Sequence, residues 1–248
     1  MNQNGGINMQ TNEIDQMNSL NVFIRAMAYL AESRESGNGN RINRTEHYVK
    51  ALAKELIHNP RFENTLKDES AIETLSKVAP LQDIGNVGIP DRILLKPGRL
   101  TPDEYDVIKT HTALGHDIIE QAERDLGIEV GLPSFVKEVV YSHHERWDGS
   151  GYPEGLFGDD IPGSARIIMV ADVYDALVSR RVYKPAISHN EAIKVIRENK
   201  GTHFDPDVVE AFEDCHDEFH RIAYMHADSE KDFKRQIDYL EKAIAIEP

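Results

Sequence analysis

The apolar side chains of this chain repeat with the period of a helix. Val22, Ile24, Met27 and Leu30 follow helical rather than alternating spacing, and Ile42, Val49, Leu52, Ala53 and Leu56 do the same. A third helix is predicted over Ser70–Pro80, running into Leu81-Gln82-Asp83-Ile84-Gly85. Thr101-Pro102-Asp103-Glu104 combines an N-cap Thr, a Pro at the first helical position and a Glu placed to complete a capping box. The helix it opens carries Tyr105, Val107 and Ile108 towards His111. Pro133–Tyr141 predicts another, ending in His143-His144. The Gly- and Pro-dense stretch from Asp148 to Gly163 excludes regular helix and predicts a long ordered loop. Ala165–Leu177 returns to an apolar helix bearing Asp172 and Asp175, and Asp205-Pro206 opens one with Val208, Val209 and Phe212. The expected fold class is all-α.

Residues 1–19 hold too few apolar side chains to offset the entropy of ordering and are expected to form a flexible tail. Residues 20–222 make the main domain, and 223–248 an amphipathic C-terminal helix whose stripe is Phe233, Ile237, Leu240 and Ile244. That stripe either packs on the domain's own core or forms a homodimer seam, though it is short for a coiled coil. Cys215 is the single cysteine, so no intrachain disulfide exists, which fits a reducing cytoplasm. No apolar run approaches the roughly 20 residues that span a bilayer. Met1–Gln16 is rich in Asn, Gln and Gly where a secretory peptide needs a basic and then an apolar stretch. The expectation is a cytoplasmic protein without membrane contact. The net charge of −15, from 43 acidic and 28 basic side chains, repels long polyanions and argues against a nucleic acid polymer as partner. A small anionic ligand remains compatible, because a few cationic groups suffice to hold one.

Asp83, His111, His143, His144 and Asp172 supply imidazole and carboxylate in a helical frame. Such a set suits Fe, Mn, Zn or similar divalent ions, and an Asp can bridge two of them. A lone His such as His111 serves equally well as a capping or surface residue. Asp172 differs, because it interrupts the apolar stretch Ile167-Ile168-Met169-Val170-Ala171-Asp172-Val173. A carboxylate buried there needs a cation or several donors. His58, His189, His216 and His220 have no such support and are read as surface residues.

The run His143-His144-Glu145-Arg146-Trp147-Asp148-Gly149-Ser150-Gly151-Tyr152-Pro153 resembles the signature of the HD-GYP family, bacterial members of the HD superfamily of metal-dependent phosphohydrolases. Asp83-Ile84-Gly85, Gly88-Ile89-Pro90-Asp91, Leu94-Leu95-Lys96-Pro97-Gly98, Lys109-Thr110-His111, Ala171 to Leu177 and Gly201-Thr202-His203-Phe204-Asp205-Pro206 fall in the family's order. The resemblance covers roughly residues 20 to 222. It implies an HD-superfamily helical bundle with an ordered Gly-Tyr-Pro loop, and a di- or tri-metal centre that hydrolyses cyclic di-GMP to pGpG or GMP. By the family pattern Asp83, His111, His143, His144 and Asp172 are metal ligands, with iron or manganese as the ion and Asp83 in the catalytic pair. Tyr152, Arg181 and Lys184 hold the guanine and the phosphates, and an Arg can grip phosphate with two parallel hydrogen bonds. Family members contact diguanylate cyclases of the GGDEF class, so such a signalling protein is an expected partner. Receiver or other sensor domains commonly precede this module and none is seen before residue 20, so the chain is a stand-alone form or part of something longer.

The chain departs from the pattern on one side of the expected centre. Gln82 stands where the family's first His precedes Asp83, and Asn86 replaces the family Lys. A segment that usually reads Gly-Asn-His-Ile-x-Arg-Thr is Gly39-Asn40-Arg41-Ile42-Asn43-Arg44-Thr45, which puts Arg41 in place of another His ligand. The Glu four residues before that His aligns with Gly37, or with Glu35 if the repeated Gly-Asn marks an insertion. Gln82 offers only a neutral amide oxygen, and Arg41 is permanently charged. Asp83, His111, His143 and His144 remain, so fewer ions than usual are expected, at most one and conceivably none. Arg41 then either pairs with Asp83 or Asp172 as a built-in cation or points to solvent. The reading is a degenerate HD-GYP protein, a pseudoenzyme that binds cyclic di-GMP or a partner protein with impaired or absent hydrolysis. The alternative is an active phosphodiesterase with a reduced metal centre. A hydrolase acting on another nucleotide is disfavoured by the completeness of the His143–Pro153 run.

Overall fold

The helical periodicity is realised along the chain. The computed structural model describes residues 4–34, 39–127, 131–179, 186–231 and 234. In chain order the α-helices among them are α1 (Asn4–Ser33), α2 (Asn40–Leu56), α3 (Glu69–Val78), α4 (Asp91–Leu94), α5 (Pro102–Leu126), α6 (Gly131–Ser142), α7 (Gly163–Val178), α8 (His189–Glu198) and α9 (Pro206–Met225). No strand forms among the described residues; two isolated bridges, Asp148 to Phe157 and Lys200 to Phe204, are the nearest approach to sheet.

Helix α7 is the axis of the bundle because it is apolar on every side. Its residues Gly163 to Ala171 are all buried, the mark of a helix surrounded by others. Ile167, Ile168, Val170 and Tyr174 meet Tyr48, Val49 and Leu52 of α2 and Val208, Phe212 and Phe219 of α9 in one core. Tyr48 stacks on Phe219 at 4.4 Å between ring centroids and meets Tyr174 edge-on at 5.3 Å. A smaller core joins Ala28 and Ala31 of α1 to Ile42, Val78, Leu81, Ile84, Val136 and Val140.

Start and stop signals act where the sequence places them. Thr101 accepts from the Glu104 backbone N–H while the Glu104 carboxylate accepts from the Thr101 N–H, the reciprocal capping box. Helix α5 ends at Gly127, whose φ of 63° is left-handed backbone that glycine adopts without strain. Asp205 caps α9 by accepting from the Asp207 N–H. The stretch Asp148–Gly163 contains a single 3₁₀ turn, Gly158–Asp160, as its Gly and Pro content requires.

Helix α1 reaches into the segment expected as a tail. It begins at Asn4, inside the segment 1–19, although Met17 and Leu20 remain exposed. A helix already nucleated by packing of Ala28 and Ala31 can propagate outward one hydrogen bond at a time, without the cost of a new nucleus. Phe233, Ile237, Leu240 and Ile244, the stripe expected on the C-terminal helix, lie outside the described residues. No helix among the described residues is long and apolar enough to cross a membrane.

One buried ion pair fixes the register of α2 against α7. Arg44 donates through Nε to Asp175 Oδ1 at 2.5 Å and through Nη2 to Oδ2 at 3.1 Å, with 5% and 2% of the two side chains exposed. A pair this buried adds little net stability, but removing one partner leaves an uncompensated charge. Asp175→Asn is therefore expected to cost about 3–5 kcal/mol of unfolding free energy, read as a lowered urea midpoint.

Candidate functional site

Two glycines bring the chemistry-bearing residues together. The Asp83 backbone leads into a 3₁₀ turn, Ile84–Gly88, pressed onto α5. A Cβ on Gly85 would lie 1.8 Å from the His111 carbonyl oxygen, and one on Gly115 would meet Val140 at 2.5 Å. Only without side chains at both positions can Asp83 approach α5 and α6 closely enough to face their histidines. His111 lies on α5, and His143 and His144 directly follow α6.

The imidazoles are aimed by backbone carbonyls. His111 Nδ1 is 2.7 Å from the Ile108 carbonyl, and His143 Nδ1 is 2.9 Å from that of Val139. A carbonyl can only accept, so both Nδ1 atoms carry a proton, and Nε2 is the ring atom that each histidine turns towards the pocket. Those two Nε2 atoms face each other at 3.3 Å and lie 3.5 and 3.6 Å from Asp83 Oδ1. Two ring nitrogens and a carboxylate oxygen converging in this way can share a proton or, with the rings neutral, ligate a cation. His144 completes the group: one donor atom from each of Asp83, His111, His143 and His144 lies within 4.8 Å of the others. The chemistry of this set fits a divalent transition metal. Burial, followed by the charge of His143, lowers the His144 imidazole to about 3, and burial lowers His111. Both are thus neutral, the form that ligates metal.

Asp172 is not one of these four donors and is joined to Asp83 through Arg41. Its Oδ1 accepts from Arg41 Nη2 at 2.9 Å and from the Gln82 amide at 2.8 Å, while the same Arg41 nitrogen donates to Asp83 Oδ2 at 2.7 Å. The Arg41 side chain is 21% exposed, and those of Asp83 and Asp172 are 17% and 19% exposed. Burial alone would raise the Asp83 carboxyl, but the Arg41 guanidinium, then His143 and His111, hold it well below the usual carboxylate range. Arg41 therefore faces the pocket as a built-in cation and does not point to solvent. Asn86 is buried, and its backbone N–H donates to the Asp83 carbonyl at 2.9 Å.

The loop after the histidine pair is held from below. Buried Glu145 accepts from the backbone N–H groups of Glu154, Gly155 and Leu156 at 2.8, 3.2 and 3.0 Å. A Cβ on Gly151 would lie 2.3 Å from the Arg146 nitrogen, so the chain doubles back there only as glycine. Tyr152 then stacks on His144, with ring centroids 4.7 Å apart, and meets Tyr105 edge-on. Trp147 and Asp148 donate backbone hydrogen bonds to the carbonyls of His203 and Thr202. Buried Asp205 accepts from Arg61 and Arg166, both of which lie over the Trp147 ring.

Several of these contacts were not visible in the sequence. Local sequence shows Glu145 only as a motif letter and Asp205 only as a helix cap, and it gives no sign of the Arg44–Asp175 pair. Glu32 of α1 lines the same cleft as Arg41, Gln82 and Asp83. Glu35 and Gly37, the two positions considered for the upstream Glu, lie outside the described residues, as do Arg181 and Lys184. His189 and His216 were read as surface residues, but each buries a ring nitrogen against its neighbours. The packing of α8 on α9, invisible in local sequence, covers them.

The HD domain family model matches residues 25–208. The chain belongs to the HD-GYP family of HD-domain proteins. A "Probable cyclic di-GMP phosphodiesterase" of Vibrio cholerae is 49% identical over 221 residues, covering 89% of this chain and 49% of that protein. A second V. cholerae protein, named "Cyclic di-GMP phosphodiesterase", is 50% identical over 208 residues, covering 84% of this chain and 42% of that protein. The "Cyclic di-GMP phosphodiesterase response regulator RpfG" of Xanthomonas campestris is 37% identical over 202 residues, covering 81% and 48%. The chain thus spans about half the length of the curated relatives it matches. Among solved structures, an HD-GYP protein of Bdellovibrio bacteriovorus superposes with a TM-score of 0.50 at 19% identity, covering 79% of this chain and 63% of that one. A cyclic GMP-AMP phosphodiesterase of V. cholerae gives 0.52 at 18%, covering 91% and 54%, and both share the all-α HD fold. The HD domain family is metal-dependent, and Asp83 with His111, His143 and His144 is one group among the described residues that could hold a metal ion.

Two outcomes follow from the loop's anchoring. Glu145→Gln replaces one accepting oxygen by an NH₂ group, so amide exchange at Glu154, Gly155 and Leu156 should quicken at least about 10-fold, the equivalent of about 1.4 kcal/mol. Burial, then Arg146, lowers His203 to about 4 from 6.5. Between those values the unfolded chain binds more protons, so stability rises with pH through this window and is lost as pH falls towards 4. Urea titrations of His203→Gln should show a flatter acid limb than wild type.

Proposed function

We propose that this chain is a degenerate HD-GYP protein of cyclic di-GMP signalling, one that binds the dinucleotide with its hydrolysis impaired or lost. A single observation carries the reading: Arg41 bridges Asp83 and Asp172, and Gln82 donates to Asp172 as well. Carboxylates that would otherwise be neutralised by a second ion already have hydrogen-bonded positive charge. A divalent ion about 5 Å from the guanidinium would be repelled by roughly 6 to 7 kcal/mol at an effective dielectric near 20. The two cannot share that half of the pocket.

The other half supports at most one ion, iron or manganese, held by Asp83, His111, His143 and His144. Bound there, it would polarise a phosphoryl oxygen and lower the pKa of a coordinated water. Tyr152, set over His144, offers a ring face for a guanine, and Arg181 and Lys184 are the proposed phosphate contacts. The names of the relatives point to a cyclic dinucleotide as ligand. A GGDEF-class cyclase, another signalling protein or a second copy of the chain would be the macromolecular partner, in the cytoplasm. A second reading, a phosphodiesterase working with one ion, is favoured by the intact convergence of the His111 and His143 Nε2 atoms on Asp83.

Anaerobic loading with Fe(II) or Mn(II), elemental counting and product detection separate the two. The wild type should gain at most one ion at this centre and release no pGpG over many turnovers, yet bind cyclic di-GMP at least 10-fold more tightly than Arg181→Ala. The combined change Arg41→His, Gln82→His and Asn86→Lys should add at least one ion per chain. Multi-turnover release of pGpG by the wild type would sink the binding-only reading. A reverted protein that takes up no further metal would sink the account of why it was lost.

A further inference from the structure

A second group of imidazoles lies outside this site, where α8 meets α9. His189 is the first residue of α8, while His216 and His220 are one turn apart on the same face of α9. The His189 ring lies 5.4 Å from that of His216 and stacks on that of His220 at 4.5 Å, with 6° between the planes. Asp217 sits beside them, its Oδ1 3.4 Å from His216 Nδ1 and its side chain 96% exposed.

Two nitrogens here are buried without a hydrogen-bond partner among the described residues, His189 Nε2 and His216 Nδ1. Leaving such an atom unsatisfied costs roughly 1–3 kcal/mol. The other nitrogen of His189, Nδ1, lies 2.8 Å from the hydroxyl of Tyr174, a fully buried residue of α7. That contact orients the ring as an outer-shell oxygen orients a metal-ligating histidine; in the tautomer that donates Nδ1–H to the hydroxyl, Nε2 is left bare to ligate. One donor atom from each of His189, His216 and Asp217 lies within 4.8 Å of the others. Two imidazoles and a carboxylate are a donor set for a borderline cation of the Zn²⁺ kind, with a further position open to His220 or water.

We propose that His189, His216 and Asp217 form a transition-metal site distinct from the Asp83 cluster, one that clamps the start of α8 onto α9. The buried orphan nitrogens are its signature, on rings whose donor atoms, with that of Asp217, lie within 4.8 Å of one another. A metal there would tie α8 through Tyr174 to α7, the helix that also carries Asp172. The site requires nothing of the Asp83 centre and stands whether or not that centre is active.

The test titrates Zn²⁺ alone into the full chain and follows histidine ring nitrogens by long-range ¹H–¹⁵N NMR, which reports each residue separately. Saturable shifts at His189 and His216 are expected, with an affinity weakened at least 10-fold by His216→Gln. Asp217→Asn, which alters only an exposed carboxylate and leaves the fold undisturbed, should weaken it too and serves if the first variant does not fold. Shifts confined to His111, His143 and His144, or an affinity unchanged in both variants, would overturn the proposal.

Discussion

Two arginines three residues apart on α2 meet two aspartates three residues apart on α7. Arg44 is locked to Asp175 in the dry interior, and the same register places Arg41 against Asp172 at the edge of the pocket. Equal spacing on both helices means that the inner pair sets the outer one. Because the inner pair is buried and bidentate, α2 cannot slide or rotate to withdraw Arg41 without exposing or orphaning a charge. The position of the guanidinium in the pocket is thus a consequence of core packing as much as of local attraction to Asp83.

The pocket is divided by the kind of positive charge each half can accept. On the α2 and α7 side, guanidinium and amide donors already fill the carboxylate acceptors. On the α5 and α6 side, backbone carbonyls take the Nδ1 protons and turn two Nε2 atoms towards a carboxylate oxygen. The first arrangement repels a metal and the second invites one. Asp83 belongs to both, with Oδ2 on Arg41 and Oδ1 towards the histidines. Any ion on the histidine side therefore shares its carboxylate with a permanent cation, which weakens that carboxylate as a ligand.

The loop bearing Tyr152 keeps its shape without regular structure because its backbone N–H groups find a buried carboxylate. Glu145 does beneath the loop what a helix does for itself. Trp147, clasped by Arg61 and Arg166, couples that loop to the Asp205 cap of α9. The motifs around Glu145 and Asp205, far apart in the chain, are two ends of one anchoring network.

The sequence alone placed most of the longer helices and the caps of α5 and α9, though not α4 or α8, because apolar period, Pro and Gly placement and capping chemistry act within a few residues. It also placed Arg41 and Gln82 where the family resemblance expects histidines, and neither side chain can act as an imidazole in any fold. Tertiary structure decided where Arg41 points, which carboxylate oxygen each neighbour takes, and that Asp172 is joined to Asp83 through Arg41. It likewise decided that α1 begins inside the expected tail, and that His189 and His216 turn inward. These outcomes depend on partners distant in the chain, such as Arg44 with Asp175 or α8 with α9. Side-chain charge is a property of a residue, whereas the acceptor that satisfies it is a property of the packed molecule.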